Sequence, residues 1–444
     1  MEPLERWAGE QYRHAASAML ASISPVAIVK HRPGFGRSFG ARRGAIVASP
    51  VCADYDPDPD YFYHWYRDSA IVIDALRHVA DDGLEPRALE HFADFVRFSL
   101  ALASLDGRRL VEAPAWRAAV REDFARFLRP DDELAAVHGE AVGAETRVNP
   151  DGTLDISKWA RPQHDGPALR ALAVLRWARS RRLDPGLATA VATLLRADLA
   201  FTLARGRLPC FDIWEEELGL HYYTLRVAAA ALEEGAEWLE LEGEPRAAAE
   251  CREEAARQLA ELDGYWLPDA RFYRSRVLAS GQRSTKELDI SVILASLHAA
   301  DDARHSVGDP RMHATLERLD ALFDARYPIN HDRPAERGPA MGRYAEDRYY
   351  SGGAYYFSTL GAAELCFRAA ALSCAPSSLA WMRRGDAYLE TVRAFTPAAG
   401  NLSEQFDRAT GEQTSAKHLA WSYAACITCL SARNAALRRA RPPS

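Results

Sequence analysis

Along most of this chain apolar residues return every three or four positions, the period of one buried helix face. The pattern predicts helices over Trp7–Ala21, Ala70–Val79, Pro86–Leu105, Gly166–Arg179, Pro185–Leu203, Tyr222–Glu242, Pro245–Leu262, Met312–Phe323, Gly353–Leu372, Ser377–Phe395 and Ser415–Leu437. These stretches are rich in Ala, Leu, Arg and Glu, which lose little rotamer freedom in a helix. Pro86, Pro185 and Pro245 stand near predicted starts, where a missing N–H costs little. Period-two alternation is scarce, and Gly44–Ala48 and Ala270–Val277 are the best strand candidates. About a dozen helices and almost no sheet predict an all-α fold, and that number favours paired helices over a simple bundle.

The connections are uneven. Trp, Tyr, Arg and Asp crowd into Cys52–Asp68, Asn149–Gly166, Arg207–Gly219, Arg337–Gly353 and Gly400–Gln413, and functional residues concentrate on loops. No low-complexity linker or shift in composition divides the chain, so residues 1–444 are expected to form one domain. Hydrophobic residues at 48% suffice for a large core of a globular, soluble protein. A net charge of −7 gives no reason to expect nucleic acid or an anionic membrane as partner. No stretch approaches the roughly 18 consecutive apolar residues of a membrane span. The acidic N-terminus, Met1-Glu-Pro-Leu-Glu-Arg-Trp7, has no apolar signal-peptide core, which predicts a cytoplasmic protein unless a leader was removed. Nothing sets an oligomeric state, and a monomer is the default expectation. The 7 scattered cysteines form no disulfide framework; Cys426 and Cys429 lie in the apolar run Tyr423–Leu430, as buried helix cysteines do.

The loops carry the chemistry. In Phe211-Asp-Ile-Trp-Glu-Glu-Glu217 three adjacent carboxylates read, alone, as a solvated helix start. Trp214 and Asp212 beside them change that reading, because like charges and an aromatic wall raise the pKa of a carboxyl toward what a general acid needs. Gly400-Asn-Leu-Ser-Glu-Gln-Phe-Asp407 contributes Glu404, by itself a residue of an ordinary polar turn. Trp65-Tyr-Arg-Asp68 follows Tyr61-Phe-Tyr63; such a group is either a buried ion pair or the means of holding a sugar, whose hydroxyls bind charges and whose apolar face stacks on rings. Trp159-Ala-Arg-Pro-Gln-His-Asp165 and Gly342-Arg-Tyr-Ala-Glu-Asp-Arg-Tyr-Tyr350 repeat the recipe. Five such loops in a helical chain point to a carbohydrate cleft. Metal and nucleophile chemistry find no footing: the 13 histidines include no HExxH pair, and neither a GxSxG elbow nor a phosphate-binding loop occurs. His305 and His313 read as surface residues, and no metal or other cofactor is expected.

In order and across nearly the whole chain, these segments resemble the glucoamylase family of glycoside hydrolases. The likeness is carried by Gly44–Pro50, Asp60–Ser69, Trp159–Arg170, Asp212–Glu216, Gly342–Asp347, Ser403–Phe406 and Leu419-Ala-Trp-Ser-Tyr-Ala424. It implies an (α/α)6 barrel with the site at the end where long loops gather. It assigns Glu215 as general acid, starting protonated, and Glu404 as the base that activates water, starting ionised. Arg67 and Asp68 would grip a terminal glucose, with Tyr61 and Trp65 beside them. Trp159, Arg161, Asp212, Trp214, Glu216, Arg343 and Asp347 would complete the first subsites. The implied activity is inverting, exo-acting release of β-glucose from α-1,4-glucans or maltooligosaccharides.

Three departures from the family pattern bear on substrate. Tyr355 replaces a common Trp, His64 and Tyr66 flank Trp65 where Thr or Pro is usual, and His418 stands where an acid is frequent. Tyr355 can still stack on a sugar. The alternatives are a relative acting on trehalose or α-1,6-glucans such as dextran or isomaltose, a phosphorylase on the same barrel, and a non-catalytic sugar binder. The Ser403–Phe406 match argues against the phosphorylase, and the presence of both glutamates against the binder. Neither the Thr/Ser-rich linker and starch-binding module of many fungal relatives nor the N-terminal β-sandwich of many bacterial ones is expected beside this domain.

Overall fold

The computed structural model describes residues 3–299 and 304–440. The long helices among them are α1 (Pro3–Leu20), α2 (Tyr66–Asp81), α3 (Ala88–Leu102), α4 (Asp165–Ser180), α5 (Pro185–Arg205), α6 (Tyr222–Leu241), α7 (Pro245–Asp263), α8 (Ser291–Ala299), α9 (Pro310–Arg326), α10 (Tyr356–Leu372), α11 (Ser377–Phe395) and α12 (Ala420–Ala440). The even-numbered helices touch one another in sequence, and α12 returns to α2, closing a ring. The odd-numbered helices pack outside it: α1 on α12, α3 on α2 and α5, α5 on α4, α7 on α6, α9 on α8 and α11 on α10. The architecture is the expected (α/α)6 barrel.

Inner and outer helices read differently in the sequence because they are buried differently. In α7 the apolar residues Ala248, Cys251, Ala255, Leu259 and Leu262 form one buried face, the signature of an amphipathic helix. In α6 every residue from Tyr222 to Leu232 is buried, and in α10 every residue from Tyr356 to Phe367. All-round burial weakens the three-four period, yet α6 and α10, of 20 and 17 residues, still showed it; α8, with 9 residues, is too short to do so. Cys426 and Cys429 are buried inside α12.

Three expectations are corrected. Gly44–Ala48 is a buried extended segment rather than a strand: its amides donate to scattered partners, Gly44 to Ser24 Oγ, Ile46 to His64 Nδ1 and Val47 to the Ser22 carbonyl. Gly44 has φ +86°, and a Cβ there would stand 2.0 Å from the Asp94 carbonyl oxygen. Ala270–Val277 divides between the strand Phe272–Tyr273 and the start of Arg276–Leu278, which belong to different sheets. Helix α5 is long and apolar enough by composition to cross a membrane, contrary to the sequence reading. In this fold Leu187, Val191, Leu194, Leu195 and Leu199 bury its inner face, and its Asp198 is held by Arg170 at 2.6 Å.

Candidate active site

Three inner helices are entered through short antiparallel strands. His64–Trp65 pairs with Arg147–Val148 and leads into α2. Leu218–His221 pairs with Cys210–Phe211 and Arg276–Leu278 and leads into α6. Ala354–Tyr355 pairs with Gln405–Phe406 and leads into α10. These clamps fix the chain just before each helix, so side chains of the first turns converge on the barrel axis. There they line a cavity of about 330 Å³ with Tyr61, Trp65, Arg67, Asp68, Trp159, Trp214, Glu215, Glu216, Arg343 and Glu404. That volume suits a small ligand. The positive ends of the inner-helix dipoles favour the carboxylates gathered here.

Glu215 sits in a turn with φ +67°, a strained backbone for a residue with a side chain. Asp212 holds that turn: its carboxylate accepts the amides of Trp214 at 2.7 Å and Glu217 at 3.0 Å, and takes Arg276 at 2.8 Å. Burial opposes the charge of Asp212, yet Arg276, His221 and the turn amides hold its pKa below the ordinary carboxylate value. The turn then presents Glu215 to three N–H donors. Its Oε1 accepts from Trp65 Nε1 at 2.8 Å and Arg67 Nη2 at 3.1 Å, and its Oε2 accepts from Trp159 Nε1.

Glu404 lies in a less polar setting. Its Oε2 accepts from Ser415 Oγ. Burial pushes its pKa up to about 7, with Asp68 and Asp347 adding to the rise and Ser415 and Arg343 opposing it. Burial thus works against the ionised form that the expected role of base requires of Glu404. Asp68 is raised to about 6, by burial and by Glu215 and Asp165 against the pull of Arg67.

One part of the cavity wall is built from rings and guanidinium groups. Phe357 stacks on Trp421 at 4.4 Å and 10°, and Trp214 lies 6.0 Å from Phe357 and 6.3 Å from Trp421, nearly parallel to both. Arg67 lies 5.7 Å from the Trp421 ring and Arg343 5.3 Å from the Trp214 ring. Arg67 also reaches Gln163 at 3.0 Å and Asp165 at 3.2 Å, so its plane is fixed before any ligand is held. Glu216 takes Arg343 at 3.0 Å, and both Tyr344 and Lys286 at 2.6 Å.

Four residues expected to touch substrate lie behind the cavity wall. Arg161 is bonded to Glu145 at 2.8 Å and Asp155 at 3.1 Å, buried acids that take its guanidinium away from the cavity. Asp212 is the turn's anchor. Asp347 forms a bidentate pair with Arg343, both contacts 2.6 Å, and so orients that guanidinium. Tyr355 is fully buried; its hydroxyl donates to Asp347 at 3.3 Å and accepts from Gln405 at 2.8 Å. His305, expected at the surface, is also fully buried, against the rings of Tyr222 and Tyr273.

The cavity also has walls that sequence reasoning did not assign: Trp421, Phe357, Tyr349 and Ala48. Tyr349 shares a 2.7 Å hydrogen bond with Tyr61. Trp421, Tyr349 and Ala48 lie in segments already singled out, so a signal existed. Phe357 gave none, being one more apolar residue of an inner helix.

With this geometry in view, the comparisons with known proteins agree with one another. The sequence profile described as Glycosyl hydrolases family 15 matches residues 36–373 and 373–431. Glucoamylase 1 of Rhizopus oryzae is 26% identical over 475 residues, covering 97% of this chain and 71% of that protein. The probable glucoamylase of Schizosaccharomyces pombe is 29% identical over 434 residues, covering 88% and 85%. Among solved structures, the glucoamylase of Hormoconis resinae superposes with a TM-score of 0.77 at 26% identity, covering 99% of this chain and 76% of that one. The glucoamylase of Saccharomycopsis fibuligera gives a TM-score of 0.78 at 20% identity, covering 99% and 97%, a likeness of fold.

Proposed function

This chain belongs to glycosyl hydrolases family 15 and is a glycoside hydrolase, and we propose that it is an inverting, exo-acting α-glucosidase that releases β-glucose from the non-reducing ends of α-1,4-glucans or maltooligosaccharides. The observation that carries this reading is the pairing of two glutamates of contrasting surroundings, Glu215 and Glu404, on one ring-floored cavity. The glucoamylases of Rhizopus oryzae and Schizosaccharomyces pombe among its relatives support the same substrate class.

In this reading the terminal glucose enters as far as the Trp421 floor, its hydroxyls meeting Arg67 and Asp68. Glu215 gives a proton to the glycosidic oxygen. Its Oε1 has two N–H donors and its Oε2 one, so the proton is best carried on Oε2, where only the Trp159 indole has to yield. Glu404 takes a proton from the water that attacks the anomeric carbon from the other face. A base with a pKa near the working pH combines a useful ionised fraction with real basicity, and about 7 suits neutral conditions. Inverting enzymes hold their carboxyls roughly 6.5–9.5 Å apart to admit this water.

Trehalose and α-1,6-glucans remain the alternatives to be tested. Tyr355, the departure that pointed toward them, is buried behind Asp347 rather than on the cavity, so it no longer argues for an altered subsite. The experiment is proton NMR of the sugar first released from maltotriose, with trehalose and isomaltotriose in parallel. Initial β-glucose from maltotriose is expected. Initial α-glucose would overturn inversion, and β-glucose only from one of the other two would move the substrate class.

A further inference from the structure

Arg147 pairs with Trp65 across the strand that leads into α2, and it is almost completely buried. Its guanidinium carbon lies 3.5 Å from the ring centre of Trp159, 4.0 Å from that of Tyr63 and 4.8 Å from that of Trp65. A cation at these distances is attracted to each ring face, and most strongly to indole. The two indoles on this cation are the two that donate their Nε1–H groups to the two oxygens of Glu215. Their planes stand 75° apart with centres 6.2 Å from each other, so the N–H bonds reach Glu215 from two directions. One guanidinium touching both faces fixes the tilt of both rings, and with it the line of each N–H bond.

From this geometry we propose that Arg147 is a positioning residue for catalysis: it orients Glu215 through Trp65 and Trp159, without touching substrate. The proposal rests on Glu215 being the proton donor. Arg147 is itself held by Asp155 at 2.9 Å. Asp155 continues to Arg161 at 3.1 Å, Arg161 to Glu145 at 2.8 Å, and Glu145 to Arg129 at 2.9 Å. This is a buried row of alternating charges with the indoles at one end and Arg129 at the other.

The row supplies its own control. Arg147→Met keeps the length of the side chain and removes the cation from the rings; Asp155 retains Arg161 and Ser157, so no acid is stranded. Arg129→Met removes an equivalent charge from the far end, where Glu145 retains Arg161. If Arg147 only stabilises the fold, both variants lose thermal stability and the folded enzyme keeps its kcat. If it positions Glu215, Arg147→Met lowers kcat between about ten- and a hundredfold, the scale of a misplaced catalytic group. KM then stays within about threefold, while Arg129→Met stays near the parent in both. Arg147→Lys, a point charge without the planar face, is expected to recover part of the lost kcat.

Equal kcat in the two methionine variants overturns the proposal, as does a loss confined to KM. Should Arg147→Met fail to fold, Arg147→Lys against Arg129→Met decides it: a lower kcat at unchanged KM is expected, and equal kcat refutes it. Glu215→Gln, assayed beside them, separates the two levels. An active Glu215→Gln enzyme would remove the proton-donor assignment itself, whereas an inactive one with indifferent Arg147 variants would remove only the positioning role.

Discussion

The wall of the cavity that bears Glu215 and the wall that bears Glu404 are built on different principles. Around Glu215 everything donates: two indoles and a guanidinium point N–H groups at its oxygens, and Asp212 pins the strained turn that carries it. Around Glu404 burial dominates, and a single hydroxyl, from Ser415, softens it. The same side chain is thus given a fixed orientation in one place and a displaced proton affinity in the other. Two carboxyls in one cavity acquire separate tasks through their environments.

The sharpest way to break this contrast is to replace each glutamate by glutamine. Both changes are expected to lower kcat by about 10²–10⁴-fold, the usual worth of a general acid or base. They should differ in stability. An amide has one oxygen, so Glu215→Gln leaves one of three N–H donors facing another donor, and its melting temperature falls. Glu404 goes the other way. Its folded pKa of about 7 exceeds the ordinary 4.5, so its contribution to stability is whole below pH 4.5 and is lost as pH rises through 7. Glu404→Gln escapes that loss, by at most about 3 kcal/mol above pH 7. Thermal unfolding at pH 4.5 and pH 8 checks both signs: the gap between Glu404→Gln and parent must widen in favour of the variant at the higher pH.

In the proposed reading Arg67 holds the terminal glucose: it touches Glu215 and lies 5.7 Å from the Trp421 ring on the same cavity. Arg67→Ala is expected to cut kcat/KM by about a hundredfold or more for maltose, maltotriose and longer chains alike, because all present the same terminal glucose. Kinetics across a chain-length series measure this. A loss that grows with chain length would place Arg67 at an outer subsite.

The sequence disclosed these two walls unequally. The longer helices, inner and outer alike, were legible as periods, whereas α8, with 9 residues, was not. Glu215 and Glu404 were found because their short motifs survive on loops. What stayed hidden was the difference between touching substrate and holding a residue that does. Arg161, Asp212, Asp347 and Tyr355 sit in the same motifs as the cavity residues, and only their partners, from the nearby Arg343 and Asp155 to the distant Arg276 and Gln405, show that they stand behind the wall. Arg147 and its ion-pair row were missed for the same reason: a buried charge is defined by its counter-charges, and Arg129, Glu145 and Asp155 are spread over a segment without recurrent motifs.

The smallest expected effect tests the finer balance on the Glu404 side. Ser415 Oγ donates to Glu404 Oε2, a bond made to the charged form that opposes the rise caused by burial. Ser415→Ala removes it, and the pKa of Glu404 climbs further, by about one to two pH units if the bond has the usual worth of a charge-assisted hydrogen bond. Because the base must be ionised, kcat/KM of the parent is expected to rise with pH through about 7, and that of Ser415→Ala through a higher value. At a pH above both limbs the two enzymes should converge, since the hydroxyl is not itself required for proton removal. A pH series of kcat/KM on maltotriose reads both features. An acid limb that moves down, or stays in place, would mean that Glu404 does not set it, and the carboxyl responsible would then be sought in Asp68, whose pKa is raised to about 6 in the same cavity.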